Sequence, residues 1–241
     1  NQHLLKIYDD EMPSYILIVS DTEDSYKIGK VAVSQLQNLI IAYKDKVDRN
    51  SFFQNLLLDN LLLIDIYNRA KKLRISAEQK RAVFVVETKN EKDIDAREMV
   101  KELFSSQNGD YITAVDEKHI ILIKALNYGE DYSDLEETAK MLVDMLNSEA
   151  MTTVRVAYGT IIDEIKDISK SYKEAKLALD VGSIFYAEKV IIAYNTLGIG
   201  RLIYQLPVNL CQIFIKEIFG EKVPVELDDE TLATVNKFFE T

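Results

Sequence analysis

Tryptophan is absent from this sequence of 241 residues, and cysteine occurs once, histidine twice, proline three times and glycine eight times. The lone Cys211 excludes an intrachain disulfide framework and any zinc site built on several cysteines. It falls in an apolar helical pattern, so core packing is its expected role, and such sparing use of cysteine suits a reducing cytoplasm. The histidines are His3, close to the start, and His119. A Ser-His-Asp or Cys-His arrangement would have to use His119, and no Gly-x-Ser-x-Gly elbow accompanies it. Neither Gly-x-Gly-x-x-Gly nor a Gly-Lys-Ser/Thr phosphate loop occurs, so no cofactor is expected. The densest apolar stretch, Leu56–Tyr67, is interrupted by Asp59, Asn60 and Asp65, well short of the roughly 18 apolar residues of a membrane span. No signal peptide is visible, and no membrane partner is expected. Positive charge is also in deficit: 29 Lys and Arg stand against 40 Asp and Glu, a net charge of −11. Such a surface repels a phosphate backbone, so these residues are not expected to bind nucleic acid themselves.

Hydrophobic residues are plentiful, at 47%, enough to bury real cores over one large domain or two modest ones. Ser14–Ser20 (SYILIVS) reads as one strand, and Asp21 or Thr22 can cap the helix that follows. From Tyr26 to Val47, Ile28, Ala32, Leu36, Leu39, Ile40, Tyr43 and Val47 recur at helical spacing. One strand makes no sheet, so residues 1–47 read as the last strand and helix of a domain whose front is missing. Asn rather than Met at position 1 agrees with a fragment. Residues 48–78 read as a leucine-rich helical connector, two helices broken near Asp59-Asn60. Leu36, Leu39, Ile40, Tyr43, Phe52 and Leu56 are the candidates for a seam that pairs two copies and carries a signal.

From Lys80 strands and helices alternate. Strands are expected at Arg81–Lys89, Tyr111–Val115, Ile120–Lys124, Thr153–Ile161 and Lys189–Tyr194. Helices are expected at Asp93–Ser106, Asp134–Glu149 and Ile165–Phe185. The order β-α-β-β-α-β-α-β opens with the split βαβ arrangement, and the fold class is α+β with an antiparallel-rich sheet. After Leu197 the chain turns all-helical.

This layout resembles the ferredoxin-like palm of nucleotidyl cyclases. Enzymes of that kind place metal-binding carboxylates at the end of the first strand and at the central hairpin. The GGDEF cyclases carry Gly-Gly-Asp-Glu-Phe at that hairpin, whereas here the turn is Val115-Asp116-Glu117-Lys118-His119 with no glycine before the acids. The first strand ends in Glu87-Thr88-Lys89, without an acidic pair. The hairpin therefore reads as a structural turn and the chain as no enzyme. The rival is a divergent cyclase or phosphoryl-transfer enzyme using Glu87, Asp116 and Glu117 with Mg²⁺.

A second resemblance is more specific. Ser171, Tyr172, Glu174, Ala175, Ala178, Leu179 and Gly182 form the pattern Ser-Tyr-x-Glu-Ala-x-x-Ala-Leu-x-x-Gly, followed by a strand ending in Tyr194 and then Leu197, Gly198, Arg201 and Leu202. This block resembles the end of the degenerate GGDEF-like domain of CdaR/PucR-type transcription regulators, which act on sugar-diacid and purine catabolism. The resemblance extends loosely from Asp48 to Thr241. It implies a GGDEF-like domain over residues 79–198, a helical segment over 199–241 leading to a helix-turn-helix that lies outside this sequence, and a PAS- or GAF-like sensory domain ending within 1–47. It further implies a cytoplasmic homodimer, a small-molecule effector of unknown identity, and DNA contact only through that outside helix-turn-helix. In physical terms, Ala175 and Ala178 let the long helix lie close on the sheet, and Gly182 relaxes its end.

Overall fold

A computed structural model of the chain describes residues 2–9, 12–88, 94–104, 109–148, 153–220, 230, 233, 234 and 237. The chain divides into two compact units, Asn1–Ala77 and Glu78–Thr241.

The first unit opens with two strands rather than one. β1 (Gln2–Asp9) pairs antiparallel with β2 (Met12–Ser20), with Leu4 opposite Ile18 and Lys6 opposite Ile16. Residues alternate across the hairpin, so Leu5, Ile7, Leu17 and Val19 turn to the more buried face while Leu4, Tyr8, Ile16 and Ile18 stay exposed. The expectation of a lone strand whose partners are missing is thus corrected: the preceding residues supply one. Thr22 caps α1 (Glu23–Leu57), its Oγ1 accepting from Ser25 N at 3.2 Å, and Glu23 and Asp24 in the first turn suit the helix dipole. Gly29 lets the helix approach the hairpin, since a Cβ there would lie 2.7 Å from Leu5 Cδ1.

α1 runs unbroken through Val47 and Asp48, so the expected end at Val47 is also corrected. The break foreseen near Asp59-Asn60 is present: α1 stops at Leu57, and Asp59 takes the left-handed conformation (φ 61°). α2 (Leu63–Lys72) follows, and Arg49 Nη2 donates to Leu73 O just past its end, at 3.0 Å.

The second unit contains β3 (Arg81–Thr88), α3 (Ile94–Leu103), β4 (Tyr111–Thr113), β5 (His119–Ala125), α4 (Tyr132–Ser148), β6 (Val154–Tyr158), α5 (Ile168–Phe185), β7 (Ile191–Ala193), α6 (Gly198–Tyr204) and α7 (Val208–Phe219). A 3-10 turn, Ile165–Asp167, leads into α5, and another, Tyr194–Thr196, follows β7. The sheet order is β4-β5-β3-β6-β7, antiparallel except for the parallel β6–β7 pair. The fold is α+β, with the split βαβ order expected from the sequence. The expected ends at Lys89, Asp93, Ser106 and Glu149, and most of the last part of the helical segment expected over 199–241, lie outside the described residues.

β3 is buried along its length apart from Glu87, as befits a strand with neighbours on both sides and helices on both faces. On one face Ala82, Phe84 and Val86 pack with Val154 and Val156 against α3 and α4, through Ala96, Val100, Leu135, Ala139 and Leu142. α5 crosses the other face, where Val83, Val85 and Ala157 meet its small buried residues Ala175 and Ala178.

Candidate functional site

The hairpin between β4 and β5 is where the palm resemblance would put chemistry. Its turn is held by Asp116. Oδ1 accepts from Lys118 N and His119 N, both at 2.9 Å, and the His119 ring Nδ1 reaches Oδ2 at 2.7 Å. An aspartate bonded to backbone amides two and three residues ahead closes a tight turn without glycine. Burial pushes the Asp116 carboxyl up, but His119 and the two amides outweigh it and hold the group below its ordinary value. The turn is fastened to the sheet where Thr88 N donates to Lys118 O at 3.1 Å. Glu87, on β3, stands in register between His119 of β5 and Arg155 of β6. Side chains directly opposite one another in an antiparallel pair share a face, so these three line the α5 side of the sheet. Tyr172 of α5 is buried nearby: burial, and then the negative charge of Asp116, raise its phenol. Among the described residues no group of three Asp, Glu, His or Cys side chains is placed to hold a metal ion.

At the other end of the hairpin Asp110 is nearly inaccessible. It accepts from Ala125 N at 2.8 Å and pairs with Lys124 Nζ at 3.2 Å. Burial dominates there and raises its carboxyl above the ordinary range despite those partners.

Behind the hairpin, the Ser-Tyr-x-Glu-Ala segment stitches α5 to the sheet. Beyond β6 the chain bulges from β3 at Thr160 and Ile161 before Ile162 pairs again with Arg81, and in that gap Ser171 takes over: Val83 N donates to its Oγ at 3.0 Å, and the same Oγ donates to Thr160 O at 2.8 Å. Glu174 Oε2 accepts from Thr160 N at 2.9 Å and from Thr160 Oγ1 at 2.5 Å. The approach is so close that a Cβ on Gly159 would sit 2.1 Å from Ser171 O. Gly182 serves α5 similarly, and not as a relaxed helix end: it lies inside α5, where a Cβ would meet Ile192 Cδ1 at 2.2 Å. Arg201 of the same motif lies over the Tyr194 ring, 5.0 Å from its centroid.

The model of the GGDEF-like domain family matches residues 61–181. The chain belongs to the GGDEF-like domain family. No curated protein matched the chain. Within this GGDEF-like domain the hairpin carries Ala114-Val115 where the cyclases' glycines would stand, and Asp116 uses both oxygens inside the turn.

The seam candidates fall into two groups. Leu36, Leu39 and Tyr43 are exposed on α1, Leu39 at 64% and Tyr43 at 70%, and Ile40 is half-buried beside them. Phe52 and Leu56, further along the helix, are each 1% exposed. A continuous apolar face on α1 is therefore available from Ile28 to Val47 and not beyond. Cys211, expected in a core, lies half-buried on α7, a helix none of whose residues is buried.

Sequence reasoning missed the working parts of the α5 junction, Ser171, Glu174 and Thr160. The signal that could have found them is a serine and a glutamate in the first two turns of a helix otherwise built to pack, where polar groups serve a nearby unpaired backbone.

Proposed function

We propose that this chain is the regulatory core of a cytoplasmic, homodimeric transcription regulator of the CdaR/PucR type. In this reading the GGDEF-like domain is a non-catalytic scaffold between a sensory part upstream and a helix-turn-helix encoded beyond Thr241. The observation that carries the non-catalytic reading is the double use of Asp116. A carboxylate committed to Lys118 N, His119 N and the His119 ring has little capacity left for a divalent ion on a triphosphate. The Ser171–Leu206 block supports the regulator type. The exposed α1 stripe Leu36, Leu39 and Tyr43 supports a seam between copies, through which an effector acts by favouring one of two arrangements.

The test of catalysis is incubation with GTP or ATP and Mg²⁺ or Mn²⁺. No turnover above the protein-free blank is expected; turnover abolished by Asp116→Ala and Glu117→Ala would make the chain a divergent cyclase or phosphoryl-transfer enzyme. The codons that follow Thr241 test the output, where a basic helix-turn-helix is expected. An unrelated domain there would remove the DNA-binding assignment.

A further inference from the structure

α2 ends in a concentration of positive charge. Between Ile66 and Ala77 stand Arg69, Lys71, Lys72 and Arg74 with no aspartate or glutamate, in a chain whose net charge is −11. All four are exposed, and among the described residues none of them forms an ion pair. Cations at a helix end often serve the helix itself, by answering its last carbonyls or the negative end of its dipole. Here other groups answer the carbonyls. Leu73 N donates to Arg69 O at 2.9 Å, Ile75 N to Ala70 O at 2.8 Å and Arg74 N to Lys71 O at 3.2 Å, and Arg49 of α1 donates to Leu73 O at 3.0 Å. Arg74 stands just past the helix in the left-handed conformation (φ 57°), where glycine is usual because it has no Cβ to strain. An arginine there projects a charge that the turn does not need.

We infer that the end of α2 is a second point of DNA contact, where Arg69, Lys71, Lys72 and Arg74 hold the phosphate backbone of a duplex. Charge complementarity carries the assignment. Residues 69–74 span about 8 Å at helical rise, a length over which a duplex places about two phosphates on each strand. Lysine and arginine on phosphate fix position without reading sequence, so the contact is expected to be indifferent to sequence. A membrane surface fits less well. It would need apolar side chains exposed among the cations, and among the described residues no large apolar side chain between Ile64 and Leu103 is exposed. The negative charge of the rest of the chain keeps the contact weak by itself. Joined to a sequence-reading domain, it adds affinity through effective concentration. The choice of DNA rests on the function proposed above, whereas the charge of the patch does not.

The experiment is fluorescence anisotropy of the full chain, up to about 200 µM, on a labelled duplex of about 24 base pairs and arbitrary sequence, at about 30 to 150 mM salt. Wild type should bind with a Kd below about 100 µM at the lowest salt, and log Kd should rise with log salt at a slope of about 3–4. The variant Arg69→Gln, Lys71→Gln, Lys72→Gln, Arg74→Gly should weaken binding at least tenfold and lower that slope by about 2 or more. Its far-UV circular dichroism should be unchanged and its Tm no lower, because none of the four is buried and glycine suits the position of Arg74. Lys71→Gln with Lys72→Gln alone should lower the slope by about 2. The control replaces the exposed Lys140, Lys170, Lys176 and Lys216 with Gln. It makes the same change in net charge and should weaken binding less than about threefold, since charges more than a Debye length away are screened. No binding at about 200 µM overturns the assignment. So does an α2 variant within about twofold of wild type, or a lysine control that loses as much as the α2 variant. Tighter binding to phosphatidylglycerol vesicles than to the duplex would overturn it too, by making the patch a membrane contact. The assay uses no helix-turn-helix, so each of these outcomes leaves the codon test of the proposed function standing.

Discussion

Replacing Ser171 by alanine isolates the junction that holds α5 on the sheet. Ser171 is fully buried, accepts from Val83 N at 3.0 Å and donates to Thr160 O at 2.8 Å. Without Oγ the Val83 amide keeps its place against α5 but loses its acceptor, and a buried, unsatisfied donor costs about 1–3 kcal/mol, with about 1 kcal/mol more for the second bond. The methyl of alanine fits where the hydroxymethyl stood, so no clash offsets the loss. The expected destabilisation is about 2–4 kcal/mol, and at about 2–4 °C per kcal/mol in a domain of this size the Tm falls by about 5–15 °C. Urea denaturation followed by far-UV circular dichroism measures it, the midpoint moving and the slope staying fixed. Ser183→Ala is the control: its Oγ bonds only to Asp180 O of the same helix, at an exposed position, and its effect should stay within about 0.5 kcal/mol. If Ser171→Ala matches Ser183→Ala, the serine does not carry the junction and the reasoning about the motif fails.

Three further outcomes follow from the same geometry. Asp110 is raised by burial, so the fold favours its protonated form: that contribution is fully present below the ordinary carboxylate value near 4 and is lost as pH rises above it. Asp110→Asn should therefore flatten the fall in stability from about pH 4 upward, read from urea midpoints across that range. Asp116 has the opposite sign, its carboxyl held low by His119 and the turn amides; its contribution is present above about pH 4 and disappears as pH falls below it. Asp116→Ala should remove that acid-side dependence and cost about 1–2 kcal/mol at neutral pH by freeing two turn amides. Gly159→Ala should be worse than Gly182→Ala. The first pushes a Cβ onto the backbone oxygen of Ser171, which cannot move without α5, while the second meets the movable tip of Ile192; the second should cost about 1–3 kcal/mol and the first more, by thermal melts of both.

The parts of the fold that the sequence reveals are those where one residue's neighbours along the chain decide its state. AVFVV (Ala82–Val86) is apolar without interruption, which marks a strand buried on both faces, and β3 is that strand. The break at Asp59-Asn60 is visible because Asp and Asn tolerate the left-handed conformation found at Asp59. β1 is hidden because Leu4 next to Leu5 and Ile7 next to Tyr8 put apolar residues on both faces and erase the alternation. The division of α1 at Val47, where the leucine-rich connector is expected to begin, fails because no proline or glycine occurs there to stop a helix. The Asp116 turn was legible as a turn, though not the fact that His119 completes it. Ser171 was not legible as an anchor, because its partner Val83 lies 88 residues earlier. α7 misled for another reason: an apolar helix looks the same in sequence whether its own domain or another molecule covers it.

These distinctions bear on what family membership means here. The residues of the Ser-Tyr-x-Glu-Ala-x-x-Ala-Leu-x-x-Gly pattern, Ser171, Glu174, Ala175, Ala178 and Gly182, are those that fix how closely α5 lies on the sheet. None of them is a charge or nucleophile turned toward open solvent. A pattern written by packing identifies a fold and leaves the chemistry open. The chemistry has to be sought at the β4–β5 hairpin, where membership alone would allow a cyclase. There the decisive quantity is the number of acceptor sites Asp116 has left once it has closed its own turn. Glycines let a hairpin keep its shape through backbone conformation and release its acids for a ligand. A hairpin without them must use an acid to hold itself, and Asp116 does. On the proposed non-catalytic reading, giving this hairpin cyclase activity would require glycines before Asp116 as well as acids, because acids added alone would leave the aspartate serving the turn.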